Sequence, residues 1–235
     1  MADVAAQLNA SLNALTREFD TIAHNLANVS TAGYKRQCSS FTKTLATQSG
    51  ENPAHGSLDF SQGHLIETHR TLDVALYGKG FFVIETPEGP LYTRHGVFRE
   101  NPNGQIVDAE GRVVAGANGP LNIPQTTDVS QITVSQDGQI STGGSVVGQF
   151  RVVEFGENEG QLVPVGLCCF QAPKDVEPTD AQNVVVRQGC QEASNVKMAE
   201  ELVSMILVTR MYEANMKLVN VKKDTTNSII GVAMG

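Results

Sequence analysis

The feature that most restricts this chain is a ladder of apolar residues near its start. Ala5, Leu8, Leu12, Leu15, Phe19, Ile22, Leu26 and Val29 follow one another at gaps of three and four residues in alternation. A period of about 3.5 residues is a narrow helical stripe, and such a stripe is covered by another helix. Gln7, Asn9, Asn13, Arg17, Glu18, Asp20 and Asn25 make the flanking faces polar, and no Pro or Gly interrupts positions 1–32. The spacing predicts a helix of roughly 40 Å, at about 1.5 Å per residue. It should stop at Ala32-Gly33-Tyr34, with Gly33 as a left-handed C-cap and Lys35 and Arg36 placed to suit the helix dipole. So thin a stripe stabilises a lone helix poorly, so the helix requires a partner.

The other end of the chain supplies one. From Glu192 to Gly231 there is again no Pro or Gly. Val196, Ala199, Val203, Leu207, Met211, Ala214, Leu218 and Val221 form a second ladder, irregular only near Val203 to Leu207, where Ile206 lies beside it. Glu200 and Glu201 come early while Arg210, Lys217, Lys222 and Lys223 come late, in accord with the dipole, and Ser194 or Asn195 can cap the start. Two such helices predict that the ends of the chain meet each other or the ends of neighbouring copies. The plainer alternative is two amphipathic helices on one globular core. The expected assembly interface is therefore Leu8, Leu12, Leu15, Phe19, Ile22, Leu26 and Val29 with Val196, Val203, Leu207, Met211, Ala214, Leu218 and Val221.

Between the ladders the texture changes. Residues 34–70 are punctuated by Ser and Gly, with Asn52-Pro53, and read as an extended connector with a short strand near Leu65 to Thr68. From Thr71, short apolar runs alternate with turn dipeptides: Asn103-Gly104, Glu110-Gly111, Asn118-Gly119 and Asp137-Gly138. Asn-Gly and Asp-Gly supply the positive φ that hairpins need. Residues 71 to about 170 read as antiparallel β structure, with Val184-Val185-Val186 as a last strand and a boundary near Gly189. The expected class is α+β: terminal helices in a coiled-coil-like helical domain around a central antiparallel β domain. The expected divisions are 1–33, 34–70, 71–190 and 191–235.

Charge and composition narrow the function. A net charge of −8 argues against nucleic acid and against an anionic membrane face. No apolar run is long enough to span a bilayer, and Asp3 with no basic or apolar leader predicts no cleavable secretory signal, so the chain is expected to be cytosolic or to leave by a route that needs none. Cys38, Cys168, Cys169 and Cys190 lack the spacing of a zinc site and read as small hydrophobes; His55, His64 and His69 read as solvated loop histidines. Gly78-Lys79-Gly80 lacks the Lys-Ser/Thr ending of a phosphate loop, and neither a nucleophile elbow nor a paired-ligand helix occurs. The expectation is a scaffold with no catalytic, metal or cofactor site.

Leu26-Ala27-Asn28-Val29-Ser30-Thr31-Ala32-Gly33-Tyr34-Lys35 resembles the N-terminal signature of bacterial flagellar rod and hook proteins. Leu72 to Val83 and Tyr92-Thr93-Arg94-His95-Gly96 are similar to the opening of their β domain. Ser194-Asn195-Val196, Glu200 to Val203 and Arg210-Met211-Tyr212-Glu213-Ala214-Asn215 resemble their C-terminal helix. The resemblance implies a subunit of the basal-body rod, most similar to the proximal rod protein and next to the distal one or a hook-type subunit. It implies exit through the flagellar export apparatus, and copies of itself and other rod proteins as partners. A free-standing β binding module dimerised by its helices is the alternative.

Overall fold

The computed structural model describes residues 2–38, 57–124 and 129–234. Positions 39–56 of the expected connector, His55 among them, lie outside the described residues. The chain divides into a helical unit, within Met1–Ala27, Gln37–Ser57 and Lys197–Gly235, and a β unit, Asn28–Arg36 with Leu58–Val196.

The helical unit is built on α1, Ala2–Ala27, and α2, Met198–Met234. Leu15, Ile22 and Val208 are buried together, with Met205 packed on them. At one end Asn215 Nδ2 donates to Ser11 Oγ at 3.1 Å. Moving from Ser11 toward Ile22 along α1 accompanies moving from Asn215 back toward Met205 along α2, so the helices run antiparallel. α1 stops at Ala27, short of the expected Gly33 stop. Near its end a buried side chain holds the backbone of the segment that follows. Asn25 Nδ2 donates to Gln37 O and Asn25 Oδ1 accepts from Gln37 N, both at 2.8 Å, while Thr31 N donates to Asn28 O in a following turn. The helical pattern read from Glu192 begins only at Met198, because Cys190–Glu192 is a strand.

The β unit is antiparallel throughout its described strands. Its largest sheet runs, edge to edge, through Val163–Gly166, Cys169–Gln171, Leu91–Thr93, Phe81–Glu85, Val113–Gly116, Ile106–Val107 and Arg99–Glu100. A meander, Ile132–Val134, Gln139–Thr142 and Ser145–Gln149, forms a second sheet. Val74–Tyr77 pairs with Val185–Gln188, and Leu65–Glu67 with Cys190–Glu192. The strand Phe81–Glu85 explains the core. Alternate side chains face opposite sides of a sheet, and here both sides are covered. Phe81 and Val83 pack with Tyr92, Phe155 and Phe170; Phe82 and Ile84 pack with Leu76, Phe98, Val114 and Phe150. The turn dipeptides have their expected geometry, with φ +81° at Gly104 and +78° at Gly138.

Candidate assembly surface

The helix pair covers only part of its apolar surface. On α1, Leu15 and Ile22 are buried, Leu8, Leu12 and Leu26 are half-buried, and Phe19 is 40% exposed. On α2 the inward residues are Glu201, Met205, Val208, Asn215 and Val219. These differ from the ladder read in the sequence. Val203, Leu207, Met211, Leu218 and Val221 are exposed, from 46% at Met211 to 62% at Val221, and Ala214 is exposed too. Ile206 and Leu202 lie exposed beside them. α2 therefore carries apolar residues on more than one face, which a helix ending in water does not need. Val29 lies beyond the end of α1 and is half-buried; Val196 precedes α2 and is buried; both belong to the β unit.

The β unit contains a polar cluster that pattern reading missed. Glu192, from the strand Cys190–Glu192, is 1% exposed and sits between two cations. Lys35 Nζ reaches Glu192 Oε1 at 2.7 Å, and Arg94 NH1 reaches Oε2 at 3.4 Å. Each cation has a further acceptor: Ser61 O for Lys35 and Gly78 O for Arg94, at 2.7 and 2.8 Å. Gly63 N donates to Glu192 Oε1 and Gly33 N to Glu192 O. Next to this cluster Asn195 accepts from Arg36 N at 2.7 Å and donates to Asp59 O at 2.7 Å. Asn195 thus ties loops together instead of capping α2; Ser194 Oγ accepts from Val196 N. Burial lowers the Lys35 and Arg94 pKa values, and the Glu192 carboxylate opposes that shift.

Lys35 is therefore not a helix-end cation. It is 2% exposed, and with its partners it joins the segment after α1, the strand Leu91–Thr93 and the segment before α2. Gly33 enables this. Its φ is +67°, and a Cβ there would come within 2.5 Å of His95 N. Two stretches that resemble family motifs, 26–35 and 92–96, thus converge on one carboxylate.

A cleft of about 650 Å³ beside Phe150 and Arg151 is lined by Asp137, Gln149, Asp180 and Gln182. A smaller hollow of about 120 Å³ holds His95, Asp108, Arg112, Cys168 and Cys169. Burial, with the neighbouring Cys169, pushes the Cys168 thiol up to about 12, and the Cys169 thiol is also raised by burial, so neither is a ready nucleophile. Cys38 is half-buried and Cys190 is buried. Among the described residues, no helix is long and apolar enough to cross a membrane, and no group of three or more His, Cys, Asp or Glu could hold a metal ion.

Comparison with known proteins gives the class first. Residues 9–35 match the flagella basal body rod protein family, 75–142 the flagellar hook protein FlgE/F/G D1 domain, and 187–232 the flagellar basal body rod FlgEFG protein C-terminal family. The chain belongs to the flagellar basal-body rod protein family. It is 32% identical to the flagellar basal-body rod protein FlgG of Agrobacterium fabrum, over 88% of this chain and 90% of that one. It is 32% identical to FlgF of Salmonella typhimurium over 84% of each chain, and 28% identical to FlgG of Bacillus subtilis over 92% and 93%.

Proposed function

We propose that this chain is a structural subunit of the bacterial flagellar basal-body rod, the shaft that carries torque from motor to hook. It assembles through its terminal helices with copies of itself and with other rod proteins. The observation that carries this reading is the outward face of α2, where Val203, Ile206, Leu207, Leu218 and Val221 are each more than half exposed in the single chain. Full burial of one such side chain contributes about 1.5–3 kcal/mol. Several of them meeting neighbouring helices offset the entropy of ordering the ends. A contact between unlike surfaces that does not close on itself gives a filament. Similarity to both FlgF and FlgG relatives supports a rod position, and we favour the proximal part of the rod over the distal part. Export proceeds through the flagellar export apparatus. No catalysis, cofactor, nucleic acid or membrane insertion enters this role.

The test is Leu207→Asp. A carboxylate on the outward face should leave the fold of the free chain intact, yet abolish rod assembly and swimming. Normal swimming with Leu207→Asp overturns the reading.

A further inference from the structure

α1 turns its apolar ladder inward, but α2 turns its less apolar face toward α1. The stripe that α2 points at α1 contains Glu201 and Asn215, while Val203, Leu207 and Leu218 point away. The stripe on α1 contains Ser11, Glu18 and Asn25 beside Leu15 and Ile22. Only Leu15, Ile22 and Val208, with Met205, make the apolar centre. Polar groups bracket it. Asn215 donates to Ser11 at one end. Two heptads further along each helix, in opposite directions, that same register sets Asn25 level with Glu201; these two residues are 1% and 0% exposed.

We infer that Ser11 with Asn215, supported by Asn25 and Glu201, fixes the register and the facing of the helix pair. Apolar spacing alone leaves the register open in one direction. The ladder on α1 repeats every heptad, so one slip sets Leu8 and Leu15 where Leu15 and Ile22 now stand, while the opposite slip calls on Val29, beyond the end of α1. Either slip changes the polar layers. Slipped the first way, Ser11 meets Val208; slipped the other way, Asn215 meets Glu18; either slip breaks the Ser11–Asn215 hydrogen bond. A polar residue in a helix seam characteristically trades stability for a single register. Here the gain is also one of facing, since polar residues turned inward keep the more apolar stripe of α2 free for other chains. That functional consequence rests on the rod reading above; the register itself does not.

The experiment is a distance measurement on the full chain by pulsed electron resonance. Labels go at the exposed positions Asn9 and Lys217, on noncanonical side chains, so that the four native cysteines stay. The unsubstituted protein should give one short distance. Asn215→Leu should add a second, longer-distance population, since a slip of one heptad moves one label about 10 Å along the helix axis at about 1.5 Å per residue, with no loss of helix content. The exchange Ser11→Asn with Asn215→Ser should return the single distance. A single unshifted distance in Asn215→Leu, or an exchange variant that remains slipped, overturns the inference. Swimming of cells carrying each variant is scored separately. Normal swimming without the chain rejects the rod reading while the distances still decide the register.

Discussion

The β unit and the helical unit handle apolar surface in opposite ways. In the β unit, Phe81, Phe82, Ile84 and Phe98 are 0% exposed, and edge-to-face rings such as Phe82–Phe98 at 5.2 Å fill the interior. In the helical unit the buried centre is Leu15, Ile22 and Val208, while Leu207 and Leu218 on the same helix as Val208 are 59% and 60% exposed. One unit completes its core within a single chain. The other holds together and leaves an apolar face over. The difference separates residues that make the fold from residues that we propose make the polymer.

Substitutions can break or sharpen that contrast, ordered here by their effect on the stability of the free chain. Glu192→Ala leaves two cations, 2% and 3% exposed, without their carboxylate, and should cost about 3–5 kcal/mol in chemical denaturation. Replacing Lys35 by Met with Glu192 by Gln should recover part of that loss, since a buried ion pair exchanged for well-matched neutral groups is often tolerated. Gly33→Ala should cost more than about 1 kcal/mol, because its positive φ and the approach of His95 N both oppose a side chain. Leu207→Ala, on the outward face, should shift stability by no more than about 0.5 kcal/mol while weakening assembly. A loss of several kcal/mol there would mean that the exposed face belongs to the fold after all.

The smallest effect concerns pH. Burial holds His95 below its ordinary value of 6.5, against the pull of Asp108 and Asp73. Between that lowered value and 6.5 the unfolded chain binds more protons than the folded one, so stability falls as pH drops through the window. His95→Gln should flatten this slope in denaturation curves collected on either side of it.

Much of the fold was legible from local pattern. The heptad spacing around Leu15 and Ile22 announced the first helix, and Asn103-Gly104 and Asp137-Gly138 announced turns, because period and turn chemistry are properties of neighbours in sequence. Which face of α2 turns inward was not legible. Apolar spacing picks the more apolar stripe, but the helix pair is held on the stripe with Glu201, Val208 and Asn215, where the polar residues find partners. The polar cluster around Glu192 was hidden for a related reason. Lys35, Arg94 and Glu192 lie far apart in the chain, and a charged residue in a polar stretch reads as solvated until tertiary structure brings its counter-ion. Arg94 lies within a stretch that resembles the family, but resemblance alone did not assign it a partner. Val29 and Val196 kept the ladder's spacing yet fall outside the helices, where Asn28, Thr31 and Ser194 redirect the backbone.

The central claim is that the outward face of α2 is covered by other chains. A density map of the isolated basal body, with this chain traced in it, measures that directly. The account predicts Val203, Leu207 and Leu218 packed against helices of neighbouring subunits, with the β-unit core as it is in the single chain. The same residues facing solvent in the assembled particle would contradict it.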